Sequence, residues 1–214
     1  MNSCLRRGIL VCALLASVAG LQACVAVVVG GAVVGTMAAT DRRTLGAQTE
    51  DKAIVFKGEA AMRRALGDAA HINVNSFNRH ALLSGEVADE AAKQKAEQEL
   101  RAIQGVQSVH NEIVISGLSN FSARSNDTLI TTKVRASFID TKDMYGSAFK
   151  IITEAGTVFL MGRVTQREGN QAASIAAGVN GVRKVVKLFE YLSEEELKAM
   201  LPTSSKIDLN SDTK

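Results

Sequence analysis

The chain repeats itself, and the repeat bounds what it can fold into. Leu82-Leu83-Ser84-Gly85-Glu86-Val87 aligns with Phe159-Leu160-Met161-Gly162-Arg163-Val164 at an offset of 77. Gly105-Val106-Gln107-Ser108-Val109 aligns with Gly181-Val182-Arg183-Lys184-Val185, and Asp51-Lys52-Ala53-Ile54 with Asp127-Thr128-Leu129-Ile130, both at 76. Two copies of this length imply tandem small domains, because a solenoid needs more and shorter repeats. The predicted domains span 48–116 and 124–192, with 117–123 as the linker.

Within each copy the apolar periodicity reads helix, strand, strand, helix, strand. In the first, Ile54, Gly58, Met62 and Leu66 share a helical face. Ile72 and Val74 alternate with polar residues, Asn78-Arg79-His80 turns, and Ala81, Leu83, Gly85 and Val87 alternate again. Ala92, Ala96, Leu100 and Ile103 give a second helix ending at Gly105, and Val109 to Ile115 a last strand. The second copy runs in parallel: Ile130, Val134 and Phe138, then a hairpin turning at Glu154-Ala155-Gly156, then Ala172 to Val179 and Val182 to Leu192. The helical crossover places the third strand parallel to a neighbour. The fold class is therefore α/β, an α+β sandwich, with a small mixed sheet and helices on one face in each domain. In the 193–214 tail, Ser193-Glu194-Glu195-Glu196 has the capping-box pattern and starts a short helix that stops before Pro202.

The N-terminus has the layout of a secretory signal. Arg6 and Arg7 precede an uncharged run from Gly8 to Gly20, and Leu21-Gln22-Ala23-Cys24 follows. That ending resembles the lipobox of bacterial lipoproteins. It implies a signal peptide over 1–23 and a lipid-modified, acylated Cys24 opening a Gly-rich tether over 24–47. Gly8 to Ala39 can also be read as one long membrane span, but a span needs only about 20 apolar residues and this run is interrupted at the lipobox. By the enterobacterial sorting rule Val25, where an Asp would retain the protein, sends it to the outer membrane, facing the periplasm. Cys4 and Cys12 leave with the signal, so the mature chain holds no disulfide and depends on core burial.

Catalysis has almost no support in the sequence. His71, His80 and His110 lie at spacings that fit no metal motif, and no nucleophile elbow or phosphate-binding loop occurs. No cofactor, no metal and no enzymatic activity are expected. Charge is more informative. Residues 48–116 carry 8 Lys and Arg against 10 Asp and Glu, whereas 124–192 carry 10 against 6. Glu59, Glu86 and Glu90 become Arg135, Arg163 and Arg167, while Gln107, Ser108 and Asn111 become Arg183, Lys184 and Lys187. The second copy is recoloured as a basic, anion-facing surface, for which drift on a solvated surface is the alternative. Its first helix also turns Leu129 away from the core face, beside Lys133. An apolar residue flanked by cations suits a membrane interface. Nucleic acid fits the charge but not an exported protein.

The order of elements, the hydrophobic-Gly-x-Val strand and the later Gly-Val-x-x-Val resemble the BON domain. Lipobox, tether, Ala39-Thr40-Asp41-Arg42-Arg43, two repeats and the run Ser125-Asn126-Asp127-Thr128-Leu129-Ile130-Thr131-Thr132-Lys133-Val134-Arg135 resemble the dual-BON outer-membrane lipoproteins of the lipid-binding, envelope-stress type. The resemblance implies that the second domain binds anionic phospholipid (phosphatidylglycerol or cardiolipin) through Leu129, Lys133, Val134 and Arg135. Arg163, Arg167, Arg183, Lys184 and Lys187 would then be a supporting patch. The family carries Trp where this chain has Leu129, which weakens the interfacial preference. Val134 also fits the core pattern. The rival expectation is an adaptor that grips an envelope or cell-wall protein while Cys24 only tethers it.

Overall fold

A computed structural model describes residues 41–200, apart from Asp143 and the side chain of Ala69. The signal peptide, Cys24, most of the tether and the tail from residue 201 lie outside the described residues. The first repeat folds as α1 (Leu45–Leu66), β1 (His71–Phe77), β2 (His80–Val87), α2 (Glu90–Arg101), β3 (Ser108–Asn111) and β4 (Val114–Ile115). The second folds as α3 (Phe121–Asp140), β5 (Phe149–Glu154), β6 (Thr157–Thr165), α4 (Gln166–Ala177) and β7 (Lys184–Leu192), and α5 (Glu194–Met200) follows. β1 and β5 pair antiparallel with β2 and β6, while β3, β4 and β7 pair parallel with them, giving the expected mixed sheets. The last strand of the first repeat is shorter than predicted, broken between Asn111 and Val114. The first helix of each repeat begins earlier than expected, at Leu45 and Phe121, inside the segments read as tether and linker.

Each domain buries one face of its sheet under its helices. Ile54, Met62, Val74, Leu83, Val87, Ala96, Leu100 and Ile113 form the first core. Ile130, Val134, Phe138, Ile151, Val158, Leu160, Val164, Ala172 and Ala176 form the second. The hairpins turn on two residues with positive φ: Asn78 (50°) and Arg79 (67°) in one, Ala155 (48°) and Gly156 (73°) in the other. Such turns suit the strand twist but strain most residues other than glycine and asparagine. A buried carboxylate on the preceding helix stabilises each turn. Asp51 accepts hydrogen bonds from the Asn78 and Arg79 amides, both at 2.8 Å, and from Ser76 Oγ at 2.6 Å. Asp127 accepts from the Ala155 and Gly156 amides, both at 2.9 Å. This is the physical reason the two copies share that aspartate.

The described residues belong to one compact unit, and the second faces of the two sheets pack on each other. Phe77 and Leu82 meet Phe159 and Met161 there, with Ile152, Val186 and Leu188 around them. The layers run helices, sheet, sheet, helices. Polar contacts rim the seam: Asn73 Nδ2 donates to Glu154 Oε2 at 2.7 Å, Lys150 Nζ to the Ser76 carbonyl at 3.2 Å, and Asn78 Nδ2 to Glu190 Oε2. Asp41-Arg42-Arg43 straps across both domains. Arg42 grips Glu168 of α4 through two hydrogen bonds of 2.7 and 2.8 Å and donates to the Arg163 carbonyl at 2.9 Å. Arg43 pairs with Asp51 at 2.8 Å and lies over the Phe77 ring, 4.1 Å from its centroid.

Candidate membrane-docking face

α3 carries the residues that the sequence singled out, and its helical arithmetic sorts them. Asn120 caps it, its side chain accepting from the Ala123 amide. Ile130, Val134 and Phe138 face the sheet and are buried, as is Asp127. Val134 is fully buried, so its expected contact with lipid is corrected to a core role: a side chain sealed under the helix cannot reach a headgroup. Leu129 points outward and is 58% exposed, and Lys133 and Arg135 are exposed on either side of the outer face.

Two further residues complete that face. Phe121 is 85% exposed and Ile139 is 72% exposed. Eighteen residues separate them, which is five turns of helix, so they share a line roughly 27 Å long with Leu129 beside it. Sequence reasoning missed both because it began the domain at residue 124 and traced only the core face. The signal was the 18-residue spacing. Between them stand Thr128, Thr132 and Ala136, small groups that let the large apolar side chains protrude. Arg124 lies on the same flank as Arg135, its guanidinium donating to the Ser119 carbonyl at 2.7 Å.

The supporting cations are distributed over other elements. Arg163 is corrected from the exposed patch to the seam, because strand register turns it onto the face buried between the sheets. There Nε meets Glu190 Oε1 at 2.8 Å and Nη1 donates to the Arg42 carbonyl at 3.0 Å. Arg167 is exposed, 3.5 Å from Glu194. Arg183 lies over Gly156 and lines a cavity of about 450 Å³ beside Ala123 and Asn126 of α3. Lys184 is exposed at the start of β7, and Lys187 reaches Asn170 at 3.3 Å. Arg183 thus meets α3 on the flank of Ala123 and Asn126, not on the line of Phe121 and Ile139.

α1 is the internal control. Ala53, Lys57 and Glu59 stand where α3 has Leu129, Lys133 and Arg135. Its outer face exposes Leu45 and Phe56, and Glu59, which lines one cleft with Phe56 and Arg135, replaces a flanking cation. Lys150, beneath this helix, is largely desolvated, and burial pushes its pKa down. Among the described residues no helix is long and apolar enough to cross a membrane.

The BON domain family matches residues 50–117 and 126–193. The chain is 38% identical over 174 residues to the outer membrane lipoprotein DolP of Haemophilus influenzae, covering 80% of this chain and 90% of that protein. It is 29% identical over 154 residues to a 21 kDa hemolysin of Actinobacillus pleuropneumoniae, covering 71% and 79%. The osmotically-inducible protein Y of Escherichia coli is 28% identical over 140 residues, covering 64% and 70%. None of these relatives is named as an enzyme.

Proposed function

This chain belongs to the BON-domain family as a dual-BON outer-membrane lipoprotein, and from that premise we propose that its second domain docks on anionic phospholipid through the outer face of α3, supporting envelope integrity. The similarity to an outer membrane lipoprotein supports the lipobox reading: Cys24 bears the acyl anchor and the folded part faces the periplasm. The observation that carries the docking reading is the line Phe121–Leu129–Ile139, exposed along α3 between Lys133 and Arg135. Inserted side chains of this kind gain free energy with the apolar area removed from water, and each flanking cation gains about 1 kcal/mol near an anionic surface. The helix thereby orients a protein that acyl chains merely retain.

The test is flotation of the chain without its first 24 residues against phosphatidylglycerol, cardiolipin and phosphatidylcholine vesicles at several salt concentrations. Binding is expected to anionic vesicles only and to weaken with salt. Leu129→Glu removes roughly 1–2 kcal/mol of insertion and adds a repelled charge, so affinity should fall by about tenfold or more. A folded Phe121→Ser/Leu129→Glu/Ile139→Ser variant that floats like the parent removes α3 as the docking element. Absence of vesicle binding, with a protein partner captured instead, leaves the adaptor reading.

A further inference from the structure

The seam between the sheets gathers a second group of side chains, remote from the outer face of α3. His71 opens β1, Glu86 stands opposite it on β2, and Glu154 ends β5 of the other domain. One donor atom from each lies within 4.8 Å of the others. His71 Nδ1 is 3.0 Å from Glu86 Oε2. That separation is close to the edge of a tetrahedron with metal–ligand bonds of about 2.0–2.1 Å, so His71 and Glu86 are spaced to share one ion. Both carboxylates are more than nine-tenths buried, at 5% and 8% exposure. Neither forms an ion pair with Lys or Arg among the described residues.

Three further observations point to a ligand. Ser84 Oγ is buried without a hydrogen-bond partner, and Ser84 shares the seam face of β2 with Glu86. Opposite Ser84 stands Asn73, whose amide holds and orients Glu154 at 2.7 Å. A cleft of about 390 Å³, lined by His71, Asn73, Thr131 and Glu154, gives access from solvent. The repeat is again the control, because at the matching positions the other copy has Ala148, Arg163 and Phe77. The fold thus needs none of these three groups, yet the seam brings all three together.

We infer that His71, Glu86 and Glu154 form a zinc site joining the two domains, with water completing the coordination. One imidazole and two carboxylates suit zinc better than calcium or magnesium, which take oxygen ligands. The ligands bind as neutral imidazole and carboxylates, and any proton they hold leaves for solvent. Three strands of two domains supply them, which is why no spacing in the sequence betrays the site.

The test is zinc titration of the full chain in detergent micelles after chelation, by calorimetry and by cobalt substitution read through visible d–d absorption. One ion per chain is expected, with tetrahedral cobalt bands and a higher melting temperature on zinc addition. His71→Ala and Glu154→Gln should each weaken binding by at least about 100-fold, since losing even a ligand's hydrogen-bond partner costs roughly 10–100-fold. His80→Ala should bind as the parent does. Glu154→Gln is nearly isosteric and keeps the readout if His71→Ala fails to fold. No binding by the parent, or undiminished binding by folded Glu154→Gln, overturns the inference.

Discussion

One ion pair anchors the strap to the second domain, and Arg42→Met should expose its worth. Arg42 and Glu168 meet through two hydrogen bonds of 2.7 and 2.8 Å. Their side chains are only 6% and 7% exposed. Methionine keeps the length and apolar stem but leaves a buried carboxylate without its cation. Removing one partner of a buried pair costs about 3–5 kcal/mol. Glu168 still accepts from the Thr165 amide at 2.9 Å, and the strap can lift to admit water, which puts the cost near the lower figure. At about 2–4 °C per kcal/mol for a chain of this size, the melting temperature falls by roughly 6–12 °C. Thermal and urea unfolding would measure it. Glu168→Gln, which can still cap α4, completes a double-mutant cycle whose coupling should be about 2 kcal/mol. Because the seam joins the sheets, parent and variants should unfold in one transition. A coupling below about 0.5 kcal/mol would show that the strap does not hold the domains, and the reasoning from burial would fail.

The same pair sets an acid dependence. Burial alone would raise the Glu168 pKa, but the Arg42 guanidinium and the Thr165 amide outweigh it and hold the carboxyl below its ordinary range. A carboxyl depressed in the folded state contributes stability above its unfolded pKa, about 4.3, and loses it as pH falls through the folded value. The gap between parent and Arg42→Met should therefore be full at pH 7 and shrink below about pH 4; a constant gap down to pH 2 would refute the assignment. Gly85 has φ 119°, and an added Cβ would run into the His71 carbonyl oxygen. Gly85→Ala should abolish folding of the first domain or cost more than about 3 kcal/mol, whereas Gly67→Ala, at φ 59° with open space around it, should cost about 1 kcal/mol. Equal melting of both variants by circular dichroism would contradict the close approach.

What the sequence made legible was whatever depends on local period. Ile130, Val134 and Phe138 sit where a 3.6-residue repeat puts a core, and the same arithmetic already conflicted with a lipid contact for Val134. Arg163 was harder, because strand alternation assigns a face but not what covers it. The clue was the unbroken apolar run in Leu82-Leu83 and Phe159-Leu160-Met161, which marks strands buried on both sides. With that face covered, exchanging Glu86 for Arg163 ceases to be surface recolouring: one meets His71, the other Glu190. Asp51 and Asp127 were visible only as repeat landmarks, since their work on the hairpin amides is tertiary. The gathering of His71, Glu86 and Glu154 depends on how the halves dock, which no local pattern encodes.

The seam also records a history. Asn73 corresponds to Lys150 and Phe77 to Glu154, and the contact of Asn73 with Glu154 is answered by that of Lys150 with the Ser76 carbonyl, one residue from Phe77. The cleft where Asp51, Lys52 and Val55 face Phe149 and Lys150 is answered by the one where Asp127, Thr128 and Thr131 face His71 and Asn73. Contacts that return when the two partners exchange places are the mark of an isologous, two-fold interface. A duplicated domain that packs on its own copy in this way has the geometry of a homodimer held in one chain. Once both halves shared one chain, each could diverge without spoiling the other. One half could then turn basic and apolar along a helix while the other placed a histidine and a carboxylate at the join.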